Sequence, residues 1–301
     1  MSLVARVADL PDAVVDQLLS RAHELRRGSP PQDCSRRVVS LMFLDASLRT
    51  RTGFAAAAAR LGAATVDVTA TRGNAVSMPE SWQATLRTLS GYSDACVARV
   101  THSWVDSPLP QGVDIPVVSG GDSGPDGEHP TQALIDLFAM SCLVGPLDEL
   151  HVAVCGDLRM RSCRSLLSLL SRRQPARLTL VTEPELREGL HLPEPLEPLV
   201  AYTSLPDLAE SNDVDVLYVV GIPHLALPEA GRSRLRVGVR HLRCLTPRGG
   251  VFSPLPVIDE WESDVVTHER QRAWDQSDLG LFVRMAVLEW ALESSPGQRI
   301  S

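Results

Sequence analysis

Ser47-Leu48-Arg49-Thr50-Arg51-Thr52 packs three hydroxyls and two guanidinium groups into six residues. At the start of a helix such a run would bind phosphate. Unpaired backbone N–H groups and the positive end of the helix dipole favour an anion there, and hydroxyls with an arginine fork complete the cradle. Taken alone, the same run reads as a Ser/Thr helix cap with two solvated arginines. His129-Pro130-Thr131-Gln132 follows the glycine-rich Gly120-Gly121-Asp122-Ser123-Gly124. A histidine and a glutamine three residues apart at a helix start can converge on one small ligand, although in isolation a capping turn is the better explanation. Arg99 ends an apolar strand-like run, and the carboxyl ends of strands are where open α/β sheets bind ligands. Ser253-Pro254-Leu255-Pro256 is a proline-bracketed turn that could present backbone carbonyls. Gly156-Asp157-Leu158-Arg159 follows a strand but lacks the GxGxxG pattern of a dinucleotide site.

These groups have to be positioned by alternating elements. Leu10, Val14, Val15, Leu18, Leu19, Ala22 and Leu25 recur at helical spacing, with Pro11 suited to the first turn. Residues 38–44, 64–68, 95–100 and 115–118 read as strands, and 53–61, 80–91 and 129–143 as helices. The pattern restarts after Gly145-Pro146, with strands at 151–155, 178–181 and 214–220, a helix at 162–170, and a surface loop over 183–198. A closing amphipathic helix spans 281–292. Strands alternating with helices imply parallel βαβ units, in two α/β halves that meet near residue 145.

Composition narrows the function. The 301 residues suit two domains, and 29 basic against 37 acidic side chains give a net charge of −8. No general nucleic-acid or anionic-membrane surface is expected from that balance. No apolar run reaches the roughly 18 residues of a membrane span, so a cytoplasmic protein is expected. The six cysteines are scattered, without the paired spacing of a zinc site, and read as buried reduced thiols. All 29 basic residues are arginine, which excludes any mechanism that needs a lysine from this chain.

Taken together, the motifs resemble those of the aspartate/ornithine carbamoyltransferase family. Residues Phe43 to Thr52 are similar to its phosphate-binding signature and His129 to Asp136 to its second signature. The resemblance continues through Val154–Leu158, Asp215–Tyr218, Ser253–Glu260 and Gly280–Arg284, in the same order along nearly the whole chain. The Gly121-Asp122 turn resembles the aspartate branch more than the ornithine branch. The resemblance implies an α/β carbamoyltransferase fold of two Rossmann-like parallel-sheet domains linked by helices. Its parts would be a carbamoyl-phosphate-binding domain at 1–144, a second-substrate, amino-acid-binding-like domain at 145–280, and a C-terminal helix at 281–301 packing back on the first. It also implies a homotrimer with shared active sites and no metal or organic cofactor. By resemblance, Ser47, Arg49, Thr50 and Arg99 hold the phosphate of carbamoyl phosphate or a related phosphorylated small molecule. His129, with Thr50 and Arg99, polarises the carbonyl oxygen as the catalytic group. Gln132 and the Leu255 carbonyl hold the carbamoyl NH₂, and Arg161 is the carboxylate-binding arginine.

Several positions depart from the family pattern. Leu48 stands where the signature has a threonine, and Met78-Pro79-Glu80-Ser81 replaces a Lys-Gly-Glu-Ser loop, with Asn74 near its serine. Loss of that charged donor would cost roughly 2–4 kcal/mol in the transition state. On the acceptor side, Val220-Gly221-Ile222-Pro223-His224 and Val257 stand where the aspartate branch carries arginines. Two lost arginines would leave a desolvated dicarboxylate poorly compensated. The expectation is therefore an enzyme that passes the carbamoyl group to an amine other than L-aspartate. The alternative is a catalytically silent homologue acting as a structural or regulatory subunit.

Overall fold

The apolar runs at 38–43, 95–99, 151–155 and 214–219 become strands covered on both faces, as the inner strands of parallel sheets are. In the computed structural model, residues 3–69, 80–102, 104, 109–123 and 126–294 are described, without the side chains of Thr69 and residues 197–199. The chain forms two compact units, one of Met1–Leu134 with Gly280–Ser301 and one of Ile135–Leu279.

The first unit contains β1 (Leu3–Val4), α1 (Asp12–Arg26), β2 (Val38–Phe43), α2 (Leu48–Arg60), β3 (Ala64–Thr69), α3 (Trp82–Ser90), β4 (Ala95–Arg99) and β5 (Val117–Ser119). Helix α4 (Pro130–Leu143) begins in this unit and ends in the second. The strands form one parallel sheet in the order β1-β5-β4-β2-β3. The chain moves from β2 outward to β3 and then returns to the other side with β4. The switch point therefore lies between β2 and β4, where a ligand crevice is expected at the carboxyl ends. There Phe43 pairs with Arg99 in register, and the Leu44 N–H donates to the Arg99 carbonyl at 2.9 Å.

The second unit contains β6 (His151–Cys155), α5 (Arg161–Arg172), β7 (Arg177–Val181), β8 (Val200–Thr203), α6 (Leu205–Ala209), β9 (Val214–Val219), α7 (Glu229–Arg234), β10 (Leu245–Phe252) and α8 (Ser263–Val266). Its parallel sheet has the order β10-β9-β6-β7-β8, with a switch point between β6 and β9. Gly156 occupies that point with φ +125°, and a Cβ there would lie 2.1 Å from the Val220 carbonyl oxygen. Only glycine allows the chain to pass so close. Helix α9 (Ala273–Glu293) runs from the second unit back into the first.

Three boundaries differ from the sequence reading. Helix α2 starts at Leu48 rather than Gly53, so the phosphate-type motif is helical from Leu48 onward and Gly53 is interior. Helix α9 starts at Ala273 rather than 281, because polar Asp275, Gln276 and Asp278 hide its first two turns from a periodicity argument. The 183–198 stretch is not plain loop but carries short 3₁₀ turns at Pro184–Leu186 and Glu194–Leu199. All six cysteines are free, and all but Cys142 are buried. Burial pushes the thiols of Cys96 and Cys155 up to about 12. No helix among the described residues is long and apolar enough to cross a membrane.

Candidate active site

Ser47 holds the N-cap position of α2 in extended conformation (φ −156°), yet its side chain makes no capping hydrogen bond. The capping explanation of this serine thus fails, and its hydroxyl remains at the positive end of a 13-residue helix. The two arginines of the motif separate cleanly. Arg51 forms an exposed ion pair with Asp67 at 3.1 Å. Arg49 is half-buried and, among the described residues, has no hydrogen bond or ion pair. Burial, with the charge of Arg99 adding to it, lowers the Arg49 pKa. Leu48 is 77% exposed, so the side chain that departs from the family signature faces solvent. A cleft of about 350 Å³ lies along Phe43 to Leu48 and Arg51.

Arg99 closes the other side of the β2/β4 switch point. It is buried, and its guanidinium donates to Asp45 from Nε at 3.3 Å and lies 3.2 Å from it at Nη2. Thr50, one turn into α2, is buried with its Oγ1 3.3 Å from Nε2 of His129. The opposite ring nitrogen, Nδ1, stands 3.3 Å from the Thr131 hydroxyl. Gly121 makes room for the ring, since a Cβ there would be 2.8 Å from His129 Cδ2. Asp122 braces the same loop, its carboxylate accepting from the N–H groups of Trp104 (2.9 Å) and Glu128 (2.6 Å). Gln132 is half-buried in the first turn of α4, and its N–H donates to the His129 carbonyl at 3.0 Å.

A further guanidinium belongs to this unit. Arg284 of α9 is only 6% exposed, and its Nε is buried without a hydrogen-bond partner among the described residues. Burial, with the Arg49 charge adding to it, pushes it down to about 10, so it stays protonated at neutral pH. The sequence reading quoted Arg284 in a motif but gave it no role. Its signal was an arginine set among Leu281, Phe282, Val283 and Met285, together with a glycine interrupting the alanine-rich α2.

Arg161 and Leu255 belong to the second unit. Arg161 is half-buried as the first residue of α5, while Arg159 is tied to Asp157 through two bonds of 2.9 and 3.0 Å. Leu255 sits at φ +58°, a left-handed conformation that costs a branched residue about 1–3 kcal/mol and marks functional turns. Its N–H donates to Ser253 Oγ at 3.1 Å, and the Ser253 N–H donates to Gln276 Oε1 at 3.1 Å. Gln276 in turn donates to buried Asp136 at 2.6 Å, which also accepts from the Tyr218 hydroxyl at 2.8 Å. Sequence reasoning missed this chain of support, because it joins residues 82 and 140 positions apart. Arg232 is buried, donates to the Ile222 carbonyl at 2.6 Å and pairs with Asp259. Asn74, Met78 and Pro79 lie outside the described residues.

The aspartate carbamoyltransferase catalytic subunit of Methanobrevibacter smithii is 30% identical over 305 residues, covering 97% of this chain and 95% of that protein. The chain belongs to the aspartate/ornithine carbamoyltransferase family. The family model described as the aspartate/ornithine carbamoyltransferase carbamoyl-P binding domain matches residues 4–141. The corresponding subunit of Methanothrix thermoacetophila is 31% identical over 96% of this chain and 98% of its own. Among solved structures, the catalytic subunit of M. jannaschii aspartate transcarbamoylase superposes with a TM-score of 0.85 at 27% identity, covering 99% of this chain and 100% of its own. The α/β carbamoyltransferase fold is thereby established. Trypanosoma cruzi aspartate transcarbamoylase, in complex with carbamoyl phosphate and aspartate, matches with a TM-score of 0.79 at 25% identity over 96% of both chains.

These carbamoyltransferase relatives overturn two expectations drawn from the sequence, a non-aspartate acceptor and a catalytically silent subunit. The relatives are aspartate carbamoyltransferases, and the T. cruzi structure holds carbamoyl phosphate and aspartate together. The physical reason lies in the weight given to isolated substitutions. Leu48 removes a hydroxyl only from a solvent-facing position. The 221–224 stretch, which lacks arginine in sequence, has the Arg232 guanidinium against its Ile222 carbonyl in space.

Proposed function

We propose that this chain is the catalytic chain of an aspartate carbamoyltransferase, transferring the carbamoyl group of carbamoyl phosphate to the amine of L-aspartate. One observation carries the reading: Thr50, at the start of α2, contacts His129 in the same unit as Arg99 at the end of β4 and as Arg49, which feels the charge of Arg99 and has no ion pair among the described residues. Three positive features at one place suit a phosphorylated ligand, and a hydroxyl–imidazole pair beside them suits a carbonyl oxygen that gains negative charge.

In this reading Ser47, Arg49, Thr50, Arg99 and the α2 N–H groups hold the phosphate. His129, supported by Thr50 and Arg99, donates to the carbonyl oxygen as the aspartate amine attacks the carbonyl carbon. The new C–N bond forms, the C–O bond to phosphate breaks, and the departing phosphate takes up the amine proton. Gln132 and the Leu255 carbonyl fix the carbamoyl NH₂, and Arg161 binds a carboxylate of aspartate. No covalent intermediate is required, so orientation and charge stabilisation supply the rate. The reading includes a homotrimer with shared active sites and a cytoplasmic setting, in keeping with six free cysteines.

The test is to mix purified protein with carbamoyl phosphate and L-aspartate and to follow carbamoyl-aspartate and phosphate together. Equimolar formation of both, dependent on aspartate, is expected. Carbamoyl phosphate binding with no carbamoyl-aspartate at saturating aspartate would overturn the reading, and sedimentation analysis reads the trimer independently.

A further inference from the structure

Helix α2 reads Leu48-Arg49-Thr50-Arg51-Thr52-Gly53-Phe54 and then five consecutive alanines. Alanine is the best helix former, and a glycine inside a helix is markedly less favourable. Gly53 has no positive φ to explain its presence. What it provides is room: a Cβ at this position would lie 2.7–2.8 Å from Nη1, Cζ and Nε of Arg284. The guanidinium of Arg284 therefore lies flat on the backbone of α2. The Phe54 ring, 5.9 Å from Cζ, adds a cation–π contact but no counter-charge.

Among the described residues Arg284 has no hydrogen bond or ion pair to a carboxylate. Glu289, the nearest acid along α9 toward the C-terminus, is taken by Arg21 at 2.6 Å. A buried, uncompensated cation is costly, and structures normally pair it. Arg49 and Gly53 are four residues apart, and so on the same face of α2. Arg284 thus stands one helical turn behind Arg49, on the side away from the helix N-terminus.

We propose that Arg284 is a positioning residue for the phosphate group, a buried cation with no counter-ion among the described residues so that the bound anion supplies one, and so that Arg49 is held toward that anion. The inference rests on the carbamoyl phosphate reading above. Like charge behind Arg49 disfavours its folding back along α2, and the charge of Arg284 adds to the field at the helix N-terminus. The cost of this cation to the free protein is recovered when the anion binds.

Arg284→Met keeps the volume and removes the charge. Calorimetry with inorganic phosphate and with carbamoyl phosphate should show binding weakened by about tenfold or more. The free variant should melt at or above the temperature of the natural protein, while the rise in melting temperature on adding phosphate shrinks. KM for carbamoyl phosphate should rise more than kcat falls. Gly53→Ala, which displaces the guanidinium without removing it, should weaken phosphate binding in the same direction, and Arg284→Lys should retain affinity within about threefold. Phosphate affinity unchanged in Arg284→Met and Gly53→Ala, with the natural protein binding normally, overturns this inference alone. A natural protein that binds neither anion overturns the functional reading and this inference with it.

Discussion

Thr50 Oγ1 stands 3.3 Å from Nε2 of His129, joining the first turn of α2 to a residue 79 positions later. Both side chains are buried, so the contact is not shared with bulk water. A hydroxyl and an imidazole acting on one oxygen should lose their effects together. His129→Ala is expected to lower kcat by about 10²–10³ and Thr50→Val by about tenfold or more. Because they act as a unit, the double variant should lose less than the product of the two. Steady-state kinetics on the four proteins measures this; strict additivity would mean that the pair is not coupled.

Leu48→Thr restores the family hydroxyl at a position that is 77% exposed. Its kcat/KM should stay within about twofold and its stability within about 0.5 kcal/mol of the natural chain. A gain of an order of magnitude would show that this side chain reaches the substrate.

Gln276→Leu removes the donor to Asp136 and the acceptor of the Ser253 N–H at once. Two buried polar groups lose partners, at a cost of about 2–4 kcal/mol, readable as a lower urea midpoint. On the role proposed for the Leu255 carbonyl, KM for carbamoyl phosphate should rise in the protein that remains folded. Burial, reinforced by the Asp136 charge, already keeps Tyr218 well above its usual phenol value, so its hydroxyl stays a donor throughout the accessible pH range.

His151 gives a pH dependence of stability. Its Nδ1 lies 3.2 Å from the Asp213 carbonyl and its Nε2 2.8 Å from the Thr179 hydroxyl, so the neutral ring donates at Nδ1 and accepts at Nε2. Burial holds its pKa below the ordinary 6.5, as it does for His23 and His241. The unfolded chain then binds these protons at higher pH than the folded one. The histidine contribution is complete above about pH 6.5 and declines as pH falls through the window below it. The melting temperature should fall from pH 7.5 to 5, with a shallower slope in His151→Gln. Asp215 acts lower still: burial opposes it, but the His151 backbone N–H, the Thr246 hydroxyl and Arg248 hold it below the usual 3.8. Its contribution is lost only below that value.

The strands at 38–43, 95–99, 151–155 and 214–219 were readable because burial on both faces leaves a mostly apolar run, interrupted only by Ser40 and Asp215 in their interiors. Strand β10 was not, since Pro247, Gly249 and Gly250 are poor strand formers and its pairing shifts register between Leu245 and Gly250. Strand β8 is an exposed edge of four residues, and β1 has only two. In the candidate site, residue types pointed to Arg49, Thr50, Arg99 and His129, because hydroxyls, guanidinium and imidazole beside strand ends carry their own chemistry. The partners of these groups were illegible. That Asp45 meets Arg99, that Arg51 leaves for Asp67, and that Arg284 lies on Gly53 are consequences of packing between distant segments.

Residues from Gly280 onward belong to the same unit as the first 134, so the unit formed by 135–279 is interposed in sequence. A ribosome therefore delivers every strand of β6 to β10 before it has finished the domain it began first. Domains tend to fold as they emerge. A nascent or prematurely terminated chain that ends before α9 would carry a complete second sheet, yet no cation behind Arg49, and so should hold phosphorylated metabolites about tenfold or more weakly than the finished chain.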